Sequence, residues 1–289
     1  MNETAHGVYS LPTKIGRSII WIFITFLCFL MVFPVLYIVF GSFKSNQELL
    51  VGGSNIFPKI WVISNYIDAW NQANFARFTL NSVFISVGVM AISLVTSTMT
   101  GYVFSRRDFP FKNALYGLFI AFMFINVGSV SLRPLFELAV KVHLNKSLLS
   151  VIFISAGTGQ ATYIFLAKGF VDSLPKELDE AAKIDGCTFF QTYTQIIAPL
   201  LKPVIATIAL LSFRQGWNEY VLPLVFTMST PEMRPLTVGV NMLKNAGDGT
   251  AAWNIMFAGA TIAIVPMILI YCFFSRYFMG GMASGAVKG

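Results

Sequence analysis

Apolar residues in this chain fall in long unbroken runs separated by short polar segments, without the alternation of a strand or the single stripe of a soluble helix. Six runs can be drawn: Ile19 to Phe40, Leu80 to Phe104, Ala114 to Val130, Leu148 to Ala167, Val204 to Met228 and Trp253 to Phe274. As a helix, a run of about 17 to 25 residues crosses roughly 30 Å of hydrocarbon. Membrane barrel strands would alternate apolar and polar positions instead. The pattern predicts an all-α polytopic membrane protein with six transmembrane helices.

Composition strengthens that reading. With 56% hydrophobic residues, 11% charged residues and a mean hydropathy of +0.70, the chain lies outside the range of soluble globular domains. Its net charge of +7 is spread over the polar flanks of the runs, which suits a membrane partner and gives no reason to expect nucleic acid. Cys28 and Cys272 lie in apolar runs and Cys187 in a polar loop, so no pair suggests a disulfide or a metal site. Lys14 and Arg17 precede the first run as in a secretory signal, but the run is too long and no small-residue cleavage site follows. It is read as a retained helix.

Orientation follows from the basic residues. A cytoplasmic N-terminus puts eleven lysines and arginines inside and eight outside, with the tightest inner cluster at Arg106, Arg107 and Lys112. Both termini are then cytoplasmic, giving a segment 1–18, a membrane domain 19–280 and a tail 281–289. Outside, residues 55 to 77 carry Trp61, Tyr66, Trp70 and Phe75, read as interfacial anchors in preference to ligand contacts. Leu135 to His143 is expected to form a short interfacial helix, with His143 solvated and not a ligand.

The longest charged stretch lies between the fourth and fifth runs, at residues 170 to 203. Pro175 suits a first helical turn, Glu177, Asp179 and Glu180 favour its positive N-terminal end, and Gly186 supplies a left-handed stop. Thr188 and Gln191 then form a capping box for a second helix, with Phe189, Tyr193 and Ile196 on its apolar face and Pro199 at its end. The loop reads as helix, glycine corner, helix. Local signals alone leave open whether it is merely a capped cytoplasmic hairpin.

The segment EAAKIDG, Glu180 to Gly186, with Pro199 thirteen residues after the glycine and Pro203 beyond, resembles the EAA motif of binding-protein-dependent ABC importer permeases. Within that family the chain is most similar to maltose-type carbohydrate permeases. It shares their tryptophan-asparagine-glutamate segment at Trp217, Asn218 and Glu219 and their tail at Gly285, Ala286, Val287, Lys288 and Gly289. Cys187, Tyr193 and Ala198 depart from the usual alanine, phenylalanine and leucine at size-tolerant positions.

The resemblance implies that Glu180, Ala181, Ala182, Asp185 and Gly186 dock into a cleft of an ABC ATPase dimer and pass its motion to the fifth span. The small alanines would let the helix seat closely, and the carboxylates would meet basic or amide donors. It implies four further partners: a homologous second permease, an extracytoplasmic solute-binding protein, an oligosaccharide cargo and the lipid membrane. No GxxxxGK[ST] phosphate loop occurs in the chain, so ATP and Mg are expected in the partner ATPase and no cofactor in this subunit.

Inside the fifth run, Arg214 carries an insertion cost of roughly 2.5 to 3.5 kcal/mol unless it is paired or faces water. Asn218 lies one turn along, and Glu219 is near enough in sequence to neutralise the charge. Two readings stand: an ion pair that locks helices, or a lining of the pathway or gate. Gln160 and Asn126 are further pathway candidates, while Gly157, Thr158 and Gly159 suit helix packing. A coupled carrier would show paired carboxylates in its spans, and an enzyme would show a clustered acid and base or nucleophile. Neither pattern is present, and His6 and His143 lie in separate polar segments.

Overall fold

The computed structural model describes residues 15–286 apart from 52–54, 73, 126–127 and 247–250. Its helices, in chain order, begin with α1 (Ile15–Gly41), α2 (Asn46–Val51), α3 (Ser64–Gln72), α4 (Phe75–Arg106) and α5 (Lys112–Phe124). They continue with α6 (Leu132–Lys141), α7 (Leu148–Asp172), α8 (Glu177–Ile184), α9 (Phe189–Leu200) and α10 (Lys202–Asn218). The last are α11 (Val221–Phe226), α12 (Leu236–Met242) and α13 (Trp253–Ala286). No strand occurs among the described residues, so the all-α class read from the sequence holds.

The count of six spans is not reached on length and composition. Among the described residues four helices are long and apolar enough to cross a membrane: Gly16–Gly41, Phe75–Arg106, Leu148–Asp172 and Trp253–Phe273. The third run, expected to extend to Val130, is helical for only 13 residues and stops at Phe124. The fifth breaks after Asn218, with Glu219 extended at ψ 128°, and resumes as α11. Pro223 explains this break, since its ring would strike the Glu219 carbonyl if the helix ran through and its nitrogen has no proton to donate. Side chains meet the orphaned backbone groups: Glu219 Oε1 accepts from Leu222 N at 3.3 Å, and Thr237 Oγ1 donates to Glu219 O at 2.7 Å. Irregular backbone at membrane depth is tolerated where protein or a cavity surrounds it.

Helices α4, α7 and α10 form the centre of the molecule. On α4 the buried face is mostly small, with Ser82, Ser86, Ser93 and Ser97 beside Ile85 and Val89. Small side chains let helix backbones approach when lipid tails offer no hydrophobic drive between helices. Gly216 on α10 shows how closely: a Cβ there would lie 2.8 Å from the Ser86 Cα. By contrast α1 has no buried window and exposes Trp21, Phe26 and Met31, as lipid contact requires.

Outside the centre, α6 is the short helix expected around Leu135 to His143. It ends with His143 at φ +57°, Leu144 N donating to Ala139 O (2.8 Å) and His143 N to Val140 O (3.1 Å). This paired hydrogen-bond pattern is the Schellman stop usually given to glycine, so the role visible for His143 is in the backbone. Among the interfacial aromatics, Trp61 and Trp70 are about half exposed, whereas Phe75 is wholly buried in the core and stacks on Trp70.

Candidate functional site

The polar loop folds as the capping logic requires. In α8, Asp179 and Glu180 occupy the first turn, and the helix stops at Gly186, whose φ of +81° favours glycine. Cys187 N donates to Ala182 O at 2.9 Å and Gly186 N to Lys183 O at 3.2 Å, completing a Schellman motif. Thr188 and Gln191 then cap α9 reciprocally: Thr188 N donates to Gln191 Oε1 (2.8 Å) and Gln191 N to Thr188 Oγ1 (3.3 Å). Pro199 lies one residue before the end of this helix at Leu200. Its preceding turn, Thr192–Ile197, is a π-helix, and that wider turn accommodates the proline within a helix running on to Leu200. Leu201 makes the corner, and α10 leaves at 82° to α9.

What holds the loop is the end of α4. Arg106 Nε lies 2.9 Å from Asp179 Oδ2 in an ion pair whose side chains are 6% and 21% exposed. The same guanidinium donates to Leu174 O at 2.8 Å, and Tyr102 OH donates to Asp179 Oδ1 at 2.6 Å. Tyr102 also stacks on Phe189 with ring centroids 4.6 Å apart, while the Arg107 guanidinium sits 4.2 Å from the Phe189 ring centroid. Thr98 Oγ1 and Tyr193 OH are 2.8 Å apart. Ion pair, aromatic stack and cation–π contact thus fix α8 and α9 to one helix, each reinforcing the others by excluding water.

This seat divides the predicted docking residues. Glu180, Ala181, Asp185 and Gly186 are exposed, whereas Ala182 is 1% exposed and faces its own chain. The expectation that both alanines seat a partner is therefore corrected for Ala182: α8 packs on the π turn of α9, and a small residue there brings the two together. Ile184 is 86% exposed beside Lys183 and Asp185, so the open face combines charge with a bare apolar side chain.

Polar residues within the membrane helices gather in two recesses. One, of about 400 Å³, is lined by Arg214, Asn218, Tyr163, Gln215 and Thr162. The other, of about 860 Å³, includes Gln160, Glu219, Thr158 and again Thr162. Glu219 does not neutralise Arg214; its carboxylate caps the Leu222 amide because the break at Pro223 leaves that donor unpaired. Among the described residues no carboxylate pairs with Arg214. Gln160 Oε1 is buried without a hydrogen-bond donor. Gln215 ties α10 to α7, accepting from Tyr163 OH (2.7 Å) and donating to Ser155 O (2.6 Å) and Thr158 Oγ1 (2.8 Å). Asn126 lies outside the described residues, as do Val287, Lys288 and Gly289; Gly285 and Ala286 end α13.

The family model for the binding-protein-dependent transport system inner membrane component matches residues 8–283. The chain belongs to that family. This permease is 32% identical over 268 residues to the arabinooligosaccharides transport system permease protein AraQ of Halalkalibacterium halodurans, covering 91% of this chain and 94% of that one. It is also 32% identical to the probable starch degradation products transport system permease protein AmyC of Thermoanaerobacterium thermosulfurigenes, over 91% and 93% of the two chains. In fold it is similar to a chain of a bacterial ABC transporter involved in the import of the acidic polysaccharide alginate. That likeness has a TM-score of 0.79 at 21% identity, over 94% of the permease and 99% of the other chain.

Sequence reasoning placed the exposed motif and missed the permease's means of holding it. Arg106 and Arg107 entered only as markers of orientation, and Tyr102 only as part of an apolar run. Gln215 stands beside Arg214 as an amide in an apolar run, a signal open to the same logic.

Proposed function

We propose that this permease is one half of a heterodimeric pore that moves an oligosaccharide into the cytoplasm, driven by an ATPase dimer in separate subunits. The observation that carries this reading is the exposed face of α8. Glu180, Ala181, Ile184 and Asp185 are open to a partner, while Asp179 and Ala182, on the opposite side, anchor the helix to its own chain. A helix displayed and braced in this way is suited to receive a push. Motion at α8 would reach α4 through Asp179 and Arg106, and α10 through α9 and the Leu201 corner.

In this reading ATP and Mg are bound by the partner ATPase, a homologous permease completes the pore, and an extracytoplasmic binding protein delivers the sugar. Segment 1–18 and tail 281–289 are cytoplasmic, flanking the membrane domain 19–280, and the tail residues 285–289 are a contact for the ATPase. Gln160, Asn218 and Arg214 face the pathway. Their place on the two recesses supports this, Gln160 on the larger and Arg214 and Asn218 on the smaller. The relatives named for arabinooligosaccharide and starch-product transport support an oligosaccharide in preference to an amino acid or ion.

The test is uptake of labelled oligosaccharides into proteoliposomes that hold the complete complex with ATP inside. Accumulation that needs ATP, the ATPase and the binding protein is expected. Accumulation with none of these would contradict the reading.

A further inference from the structure

We infer that Arg214 is an anion-recognition residue of the translocation pathway, and that the preferred cargo is a saccharide bearing a carboxylate. This rests on the transport reading above. Arg214 is exposed on a recess of about 400 Å³, on a mostly apolar helix, one turn before the break at Glu219. A guanidinium offers five donors and always carries its charge, so within a span it requires water, an acceptor or an anion.

The neighbours are already engaged. Gln215 uses both ends of its amide on α7, and Tyr163 OH, on a residue only 4% exposed, donates to that amide. Glu219, the carboxylate nearest in sequence, accepts from the Leu222 amide and lines the other recess. No side chain or backbone acceptor among the described residues holds the guanidinium, so the recess presents a fixed wall with one unneutralised cation. Bidentate geometry matches a carboxylate better than a hydroxyl, and Asn218, on the same wall, adds amide donors and an acceptor for ring hydroxyls.

The test compares a uronate trisaccharide with its methyl ester, in which each carboxylate becomes an uncharged ester, in proteoliposomes of the complete complex. The wild-type complex is expected to take up the acid in preference. In Arg214→Gln the acid-to-ester uptake ratio should fall at least tenfold, and in Arg214→Lys, which keeps the charge but not the fork, it should fall less. Co-purification of the second permease is followed in both variants. A wild-type ratio near one, or a ratio unchanged in Arg214→Gln, overturns the proposal. So does loss of the second permease from both variants, which would make Arg214 a subunit-interface cation. Failure of the wild-type complex to move any saccharide would instead overturn the transport reading itself.

Discussion

Arg106 and Asp179, 73 positions apart in the chain, meet at 2.9 Å and join the last turn of α4 to the first turn of α8. The pair is mostly shielded, so breaking it strands a charge as well as removing an attraction. Asp179→Asn or Arg106→Gln should cost about 2 to 4 kcal/mol locally, between the values for exposed and fully buried pairs. ATP-dependent uptake is predicted to fall at least tenfold in each, with partial recovery in the exchange of Asp179→Arg with Arg106→Asp. Uptake in vesicles checks this; equal activity in the single variants would contradict it.

Gly186 separates backbone requirement from side-chain identity. A β-branched residue at φ +81° is strained by about 1 to 2 kcal/mol or more, whereas asparagine visits that region at lower cost. Gly186→Val is predicted to abolish transport while the protein still reaches the membrane, and Gly186→Asn to keep most of it. Uptake normalised to permease content distinguishes the two.

The two alanines of the motif predict opposite defects. Ala182→Leu overpacks a buried contact between α8 and α9, costing about 1 to 3 kcal/mol. It should make the loop sensitive to protease in the isolated permease. Ala181→Leu lies on the open face and should leave the loop intact while weakening ATPase co-purification. Protease sensitivity in Ala181→Leu but not in Ala182→Leu would reverse the assignment of faces.

How much of this was legible in the chain differs by element. Gly186, Thr188 and Gln191 declared the helix, corner, helix loop because caps and left-handed stops are local chemistry. The break at Glu219 was also written locally, in Pro223, but the continuous apolar run concealed it. Asp179 and Arg106 could not be paired from spacing, because their meeting depends on how α4 and α7 pack. Ala182 and Ala181 look alike in sequence, and only the fold of α9 against α8 tells them apart.

Gln215 predicts a purely structural loss. Gln215→Leu removes three hydrogen bonds between α7 and α10, each worth about 0.6 kcal/mol by averages for membrane helices. The thermal midpoint of the purified permease should drop by a few degrees. A midpoint equal to wild type would show that these bonds do not hold the helices.

The central claim is that the exposed face of α8 is where the ATPase engages. Its most direct measurement is capture of the ATPase by tagged permease, wild type against Glu180→Lys, with membrane content matched. Glu180 is exposed and has no partner among the described residues, so charge reversal should leave the fold alone and remove most of the captured ATPase together with uptake. Wild-type capture with wild-type uptake in Glu180→Lys would contradict the account.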